Sequence, residues 1–178
     1  MPNPINYFLY SPRLGFRLWT LADLPLALAL WTNFAVTRYL GGPFSPQQAE
    51  ERFRREIALQ EAVGVQYWPF FLRSTGVHAG CAGLRPYNPA SAIYELGFHL
   101  LPASWNKGLA TEAARAVIGY AFATVGASGL FAGHHPENAA SRRVLVKLGF
   151  RYTHDEIYPP TGLLNPSYYL VPPPRAGG

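Results

Sequence analysis

The chain has 178 residues, a formal net charge of +5 and a pI near 9.5, a length that suits one domain, 1–178, with a core of its own. Hydrophobic residues make up 49% and aromatic residues 15%, which excludes global disorder, and the single cysteine, Cys81, excludes an internal disulfide framework and suits a reducing cytoplasm. Basic residues are scattered, paired only at Arg54 and Arg55 and at Arg142 and Arg143, so the charge fits an anionic ligand and lacks the clustered stripe of a nucleic-acid binder.

About ten residues at the N-terminus and seven at the C-terminus are expected to be loose, and no basic stretch followed by an apolar run marks a leader. Residues 14–18 read as a first strand, and Thr20 or Asp23 caps a short helix to Trp31. That apolar segment is too short to span a bilayer and contains Pro25, so no membrane partner is expected. Ser45 and Pro46 start a second helix running to about Glu61. Residues 66–73 and 77–85 form a hairpin about a turn at 74–76. A strand at 93–100, a helix at 107–125 and a strand at 129–134 follow, and this unit is the expected parallel crossover. A helix from Glu137 and Asn138 to Leu148 ends on Gly149. Strands near 151–158 and 167–171 close the chain. The order specifies an α+β fold in α/β/α layers, with a mixed, mostly antiparallel twisted sheet of about seven strands and about four helices.

The turn at 105–110 carries chemistry. Trp105-Asn-Lys-Gly-Leu-Ala110 leads from a strand directly into a helix whose apolar face is Ala110, Ala113, Ala114, Val117, Ile118 and Ala121, with Glu112 and Arg115 opposite. The first amides of such a helix are unpaired and its dipole favours negative charge, so the turn can grip a phosphate. Gly108 lets backbone approach a ligand without a Cβ between. The pattern is neither a P-loop, since no Gly-Lys-Ser/Thr follows, nor a three-glycine dinucleotide fingerprint. A plain strand-to-helix connection fits the same residues.

A second segment decides between these. Residues 137–150 read Glu-Asn-Ala-Ala-Ser-Arg-Arg-Val-Leu-Val-Lys-Leu-Gly-Phe. With the turn, and with the opening Arg13-Leu-Gly-Phe-Arg-Leu, they resemble the GNAT superfamily of acyl-CoA-dependent N-acyltransferases over residues 11–170. The branch of ribosomal-protein N-terminal acetyltransferases is the most similar. The resemblance implies acetyl-CoA as co-substrate, its pyrophosphate on Asn106, Lys107, Gly108, Leu109, Ala110 and Thr111. The pantetheine arm would lie along the strand ending in Phe98, His99 and Leu100, as an added strand. Asn138 matches the residue that contacts the arm and Ser141 the one near the sulfur. Trp105 is usual for the branch. Asn106 stands where the branch commonly has glycine, and asparagine tolerates left-handed backbone better than most residues.

The reaction so implied is direct attack of a primary amine on the thioester, which needs alignment, a proton acceptor and a stabilised thiolate. Glu95 is the candidate base, on the strand face opposite Tyr94, Leu96 and Phe98; a structural hydrogen-bonding role fits it as well. Ser141 is the candidate donor to the sulfur, and a first-turn helix residue fits it equally. His99, His134 and His135 read as structural, without metal-ligand spacing, and no metal is expected. Residues 41–44 and 158–162 could lid the acceptor groove or merely turn. The acceptor could be a protein N-terminus, an amino acid or a small amine. A non-catalytic acyl-CoA-binding module on the same fold stays open, as does a homodimer.

Overall fold

The computed structural model describes residues 6–173; the expectations for the outermost residues of both tails lie outside that span. In chain order the elements are β1 (Leu9–Tyr10), β2 (Leu14–Phe16), α1 (Leu24–Trp31), α2 (Phe34–Thr37), α3 (Pro46–Val63), β3 (Tyr67–Leu72), β4 (His78–Asn88), β5 (Ile93–Leu100), α4 (Leu109–Tyr120), β6 (Gly129–Gly133), α5 (Ala139–Lys147), β7 (Arg151–Tyr158) and β8 (Leu163–Leu170). The strands form an open sheet in the order β1-β2-β3-β4-β5-β6-β8-β7. Only β5 and β6 pair in parallel, as a strand–helix–strand crossover requires. No helix among the described residues is long and apolar enough to cross a membrane.

Eight strands and five α-helices replace the expected seven and four. The additions are β1 and α2, of two and four residues, too short for either periodicity to register. The last strand begins at Leu163 rather than 167. Pro166 lies one residue beyond the point where β6 ends opposite Ser167, so the sheet tolerates its missing N–H.

The strong helix starts behave as their chemistry dictates. Ser45 Oγ accepts the Gln48 N–H at 3.2 Å while Gln48 Oε1 accepts the Ser45 N–H at 2.9 Å, with Pro46 at the first helical position; this is a reciprocal capping box. Two apolar layers flank the sheet. Leu109, Ala113, Ala114 and Val117 of α4 and Leu145 of α5 pack on one face with Leu84, Leu96 and Leu130. Ala27, Leu30 and Trp31 of α1 and Ala49 and Phe53 of α3 cover Tyr67 and Cys81 on the other. Pleating thus sends Leu96 and Leu100 to the α4 side and Glu95, Gly97 and His99 to the α1–α3 side.

His78, at the start of β4, sits between the rings of Trp19 and Phe71 at 5.7 and 5.3 Å. Neither ring nitrogen has a hydrogen-bond partner among the described residues. Burial lowers its pKa from 6.5 to about 4. Between those values the unfolded chain takes up a proton that the folded chain refuses, so stability is full above about 6.5 and falls as pH drops toward 4. The loss is at most about 3 kcal/mol. Urea unfolding at pH 7 and pH 4.5 should show a smaller pH difference in His78→Leu than in the wild type. Burial lowers His99 and His134 too, so the slope should shrink without vanishing.

Candidate functional site

The turn between β5 and α4 leaves backbone donors free. Gly108 is the N-cap of α4 with φ +73°, and no side chain caps it. The Glu112 N–H, bonded to Gly108 O at 3.1 Å, is the first with an intrahelical acceptor, which leaves the amides of Leu109, Ala110 and Thr111 directed outward. Asn106 adopts φ +58°, the left-handed backbone for which asparagine is the best non-glycine residue.

The turn is clamped from a distance. Glu112 accepts hydrogen bonds from Ser11 Oγ at 2.7 Å, the Arg13 N–H at 2.8 Å and Arg13 Nε at 2.6 Å. Arg13 Nη1 also donates to Lys107 O at 2.9 Å. Partial burial works against Glu112 ionising, but these hydrogen bonds and the Arg13 charge win and hold its pKa below the usual range. Glu112, which the sequence placed only on an exposed helix face, is the anchor of the turn. Lys107 points away from the cleft, its Nζ on Ala103 O at 2.7 Å.

A cleft of about 790 Å³ runs from this turn across the sheet. Its floor is a gap between parallel strands. Ile93, Tyr94 and Glu95 lie opposite Gly129, Leu130 and Phe131, after which β5 continues to Leu100 without a partner on that side. The Leu101 N–H bonds to Ala79 O at 3.0 Å; alternation along the antiparallel β4–β5 pair then turns the backbone groups of Gly97 and His99 toward β4 and those of Leu96, Phe98 and Leu100 toward the gap. Trp105 Nε1 donates to Leu100 O at 2.8 Å, tying the turn to the strand end. Across the gap Asn138 caps α5, its Oδ1 accepting the Ser141 N–H at 3.1 Å, and both residues line the cleft.

The family model "Acetyltransferase (GNAT) domain" matches residues 13–151. This chain belongs to the GNAT acetyltransferase family. It is 32% identical over 146 residues to the uncharacterized N-acetyltransferase YoaA of Bacillus subtilis (strain 168), covering 80% of this chain and 82% of that protein. Its fold is similar to that of RimL, a ribosomal L7/L12 alpha-N-protein acetyltransferase solved in complex with coenzyme A. That match has a TM-score of 0.79 at 15% identity over 93% of this chain and 98% of the other. A spermidine N-acetyltransferase from Vibrio cholerae, solved with CoA and spermine, matches with a TM-score of 0.76 at 16% identity over 90% and 96%. At these identities the structural likeness is one of fold.

On the α1–α3 side of this GNAT cleft lies a charged cluster that sequence reading found only in part. Glu95 lines the cleft, with Arg85 its cross-strand neighbour. Arg85 itself forms an ion pair with Glu56, whose other oxygen accepts the Tyr67 N–H at 2.8 Å. Burial raises the Glu95 pKa, with Glu156 and Glu56 adding to it and Arg85 and Arg52 opposing. Glu156, on β7, accepts the Tyr87 hydroxyl at 2.9 Å.

His99 and His134 have tautomers set by their neighbours. Trp31 Nε1, which can only donate, lies 3.2 Å from His99 Nδ1, so His99 carries its proton on Nε2. Burial first, then the charges of Arg52 and Arg85, hold His99 neutral. Its ring lies with Trp31, Tyr67 and Cys81 on the α1–α3 side, not in the gap. His134 Nδ1 donates to His135 O at 2.8 Å, and its ring stacks on Tyr168. The missed residues, Arg52 and Glu56, share the buried stripe of α3 with Ala49 and Phe53. Two charges, at i+3 and i+7 of a face that Ala49 and Phe53 otherwise make apolar, were the available signal.

Proposed function

We propose that the chain is an acetyl-CoA-dependent N-acetyltransferase acting on a primary amine. The observation that carries this reading is the cleft that joins an uncapped helix N-terminus, an unpaired strand edge and a half-buried carboxylate of raised pKa. The helix amides suit the diphosphate of the co-substrate. The gap-facing backbone groups of Phe98 and the Leu100 N–H suit the amides of its pantetheine arm, which would add as a short strand beside the Leu100 carbonyl that Trp105 holds. Asn138 and Ser141 would meet that arm from α5, Ser141 as hydrogen-bond donor to the departing sulfur.

Glu95 would accept the proton of the attacking ammonium, directly or through water. A carboxylate with a raised pKa is a stronger base than an exposed one, which suits this task near neutral pH. Neutral His99, whose Nδ1 already accepts from Trp31, would offer only an N–H donor to the cleft. The homologue named an N-acetyltransferase supports nitrogen as the nucleophile.

Thiol release from acetyl-CoA, followed over a panel of amines, amino acids and short peptides, tests the reading. Turnover that needs an amine is the expected result. Coenzyme A binding with no turnover on any amine would favour the acyl-CoA-binding module instead. Ser141→Ala should lower kcat about three- to tenfold with little change in KM, the loss of one hydrogen bond made best to the thiolate.

A further inference from the structure

Arg52 is the unusual residue of the cleft. Its side chain projects from α3 into the buried layer and is 8% exposed. Among the described residues it forms no ion pair, and its Nε has no hydrogen-bond partner. The other buried charged pair-formers, Asp23 and Glu56, are both matched by arginines. What Arg52 does have is the face of Trp31, 5.2 Å away, and a place in the cleft wall. Burying a guanidinium without an anion is costly, and arginine's planar fork matches a carboxylate.

The cleft is also bounded by the segment after α2. Gly41 packs so tightly on the β7–β8 turn that an added Cβ would lie 2.9 Å from Pro160 O. The Tyr39 ring rests on His135 at 4.8 Å. The segment therefore touches both the β7–β8 turn and the β6–α5 loop, and its Tyr39 and Leu40 line the same cleft as Glu95 and Arg52. A cleft bounded on several sides admits a small molecule more readily than the end of a folded polypeptide.

Resting on the N-acetyltransferase reading above, we infer that the acceptor is a small amine that also bears a carboxylate, in the manner of a free α-amino acid, with Arg52 holding the carboxylate and the amine presented at Glu95. On this wall the cleft then offers Arg52, beside an Arg85 already held by Glu56, and, at Glu95 and Glu156, acidic groups, complementary to a zwitterion. A polyamine would leave Arg52 unpaired beside added positive charge. Arg52 is a specificity residue in this scheme, touching the acceptor and not the thioester.

The test compares acetylation of L-amino acids with that of their amides, together with spermidine and a tetrapeptide amide, using wild type, Arg52→Gln and Arg52→Lys. Wild type should prefer the best amino acid over its amide by at least about tenfold in kcat/KM. Arg52→Gln should raise KM for the amino acid by about 10- to 100-fold, the loss expected for one charged hydrogen-bonding group, and raise KM for the amide far less. Arg52→Lys should recover part of the loss. If Arg52→Gln does not fold, the wild-type comparison decides alone. Equal use of acids and amides, or preference for spermidine or the peptide, overturns the carboxylate assignment and leaves the N-acetyltransferase reading standing. No acetylation of any amine overturns both.

Discussion

Replacing Glu95 with glutamine should lower kcat/KM for the best amine by about 10² to 10⁴, the range for removing a general base, while leaving coenzyme A affinity within about twofold. Glutamine keeps the shape of the side chain, and the cross-strand Arg85 keeps its partner in Glu56, so no buried ion pair is broken. Stability should hold or rise. A carboxylate whose pKa is raised on folding prefers its neutral form there, so its ionisation costs stability once pH exceeds the unfolded value, and glutamine removes that cost.

The pH profile gives a second readout of the same residue. Burial raises the Glu95 pKa above 4.5 against the pull of Arg85 and Arg52. Activity of the wild type should therefore fall on the acid side through an inflection lying above the ordinary glutamate range. In Glu95→Gln that limb should disappear from whatever activity remains. Glu156→Gln, changing the carboxylate that Tyr87 holds, should alter the profile far less. A Glu95→Gln enzyme with the full wild-type rate and the same acid limb would show the base to be elsewhere.

The half of the candidate site built on the β5–α4 turn was legible in the chain because its geometry is local. The amides of 108–111 converge through the geometry of one turn, and a positive φ at Asn106 and Gly108 is written in those two residue types. Strand β5 and helices α4 and α5 carry their periodicities within a few residues, so their order and the parallel crossover followed. The acceptor half is assembled from distant pieces. Arg52 comes to the same cleft wall as Arg85 and Glu95, and Glu56 pairs with Arg85, because α3 packs on Tyr67 of β3 and Cys81 of β4, and nothing near residue 52 announces residue 95. Glu112 likewise gained its role from Ser11 and Arg13, about a hundred positions away. Elements of about one period, β1 and α2, carry no repeating pattern. Residues 41–44 and 158–162 could be marked as turns, but that they meet depends on the register of the β7–β8 hairpin.

Gly97→Ala should be among the most damaging single substitutions in the sheet. It stands between Glu95 and His99 on β5, and the phenol of Tyr67 lies flat against its backbone. A Cβ there would be 2.1 Å from the Tyr67 hydroxyl oxygen and 2.2 Å from the ring carbon that bears it, far inside contact distance. Tyr67 cannot step aside, because it is 4% exposed, carries the Arg85 guanidinium 4.3 Å over its ring and meets His99 edge-on at 5.6 Å. Overpacking of this kind costs about 3 kcal/mol or more, and the displaced ring would carry Arg85 and the floor of the acceptor cleft with it. Activity on the amine should fall more than coenzyme A affinity, since the gap-facing groups of β5 point the other way. A double-mutant cycle separates this clash from a general loss of strand stability. With Tyr67→Ala the space opens, and adding Gly97→Ala should cost under about 1 kcal/mol, giving a coupling of about 2 kcal/mol or more between the two sites. Additive costs would mean that glycine is needed at 97 for the backbone alone, and that the phenol does not rest on it.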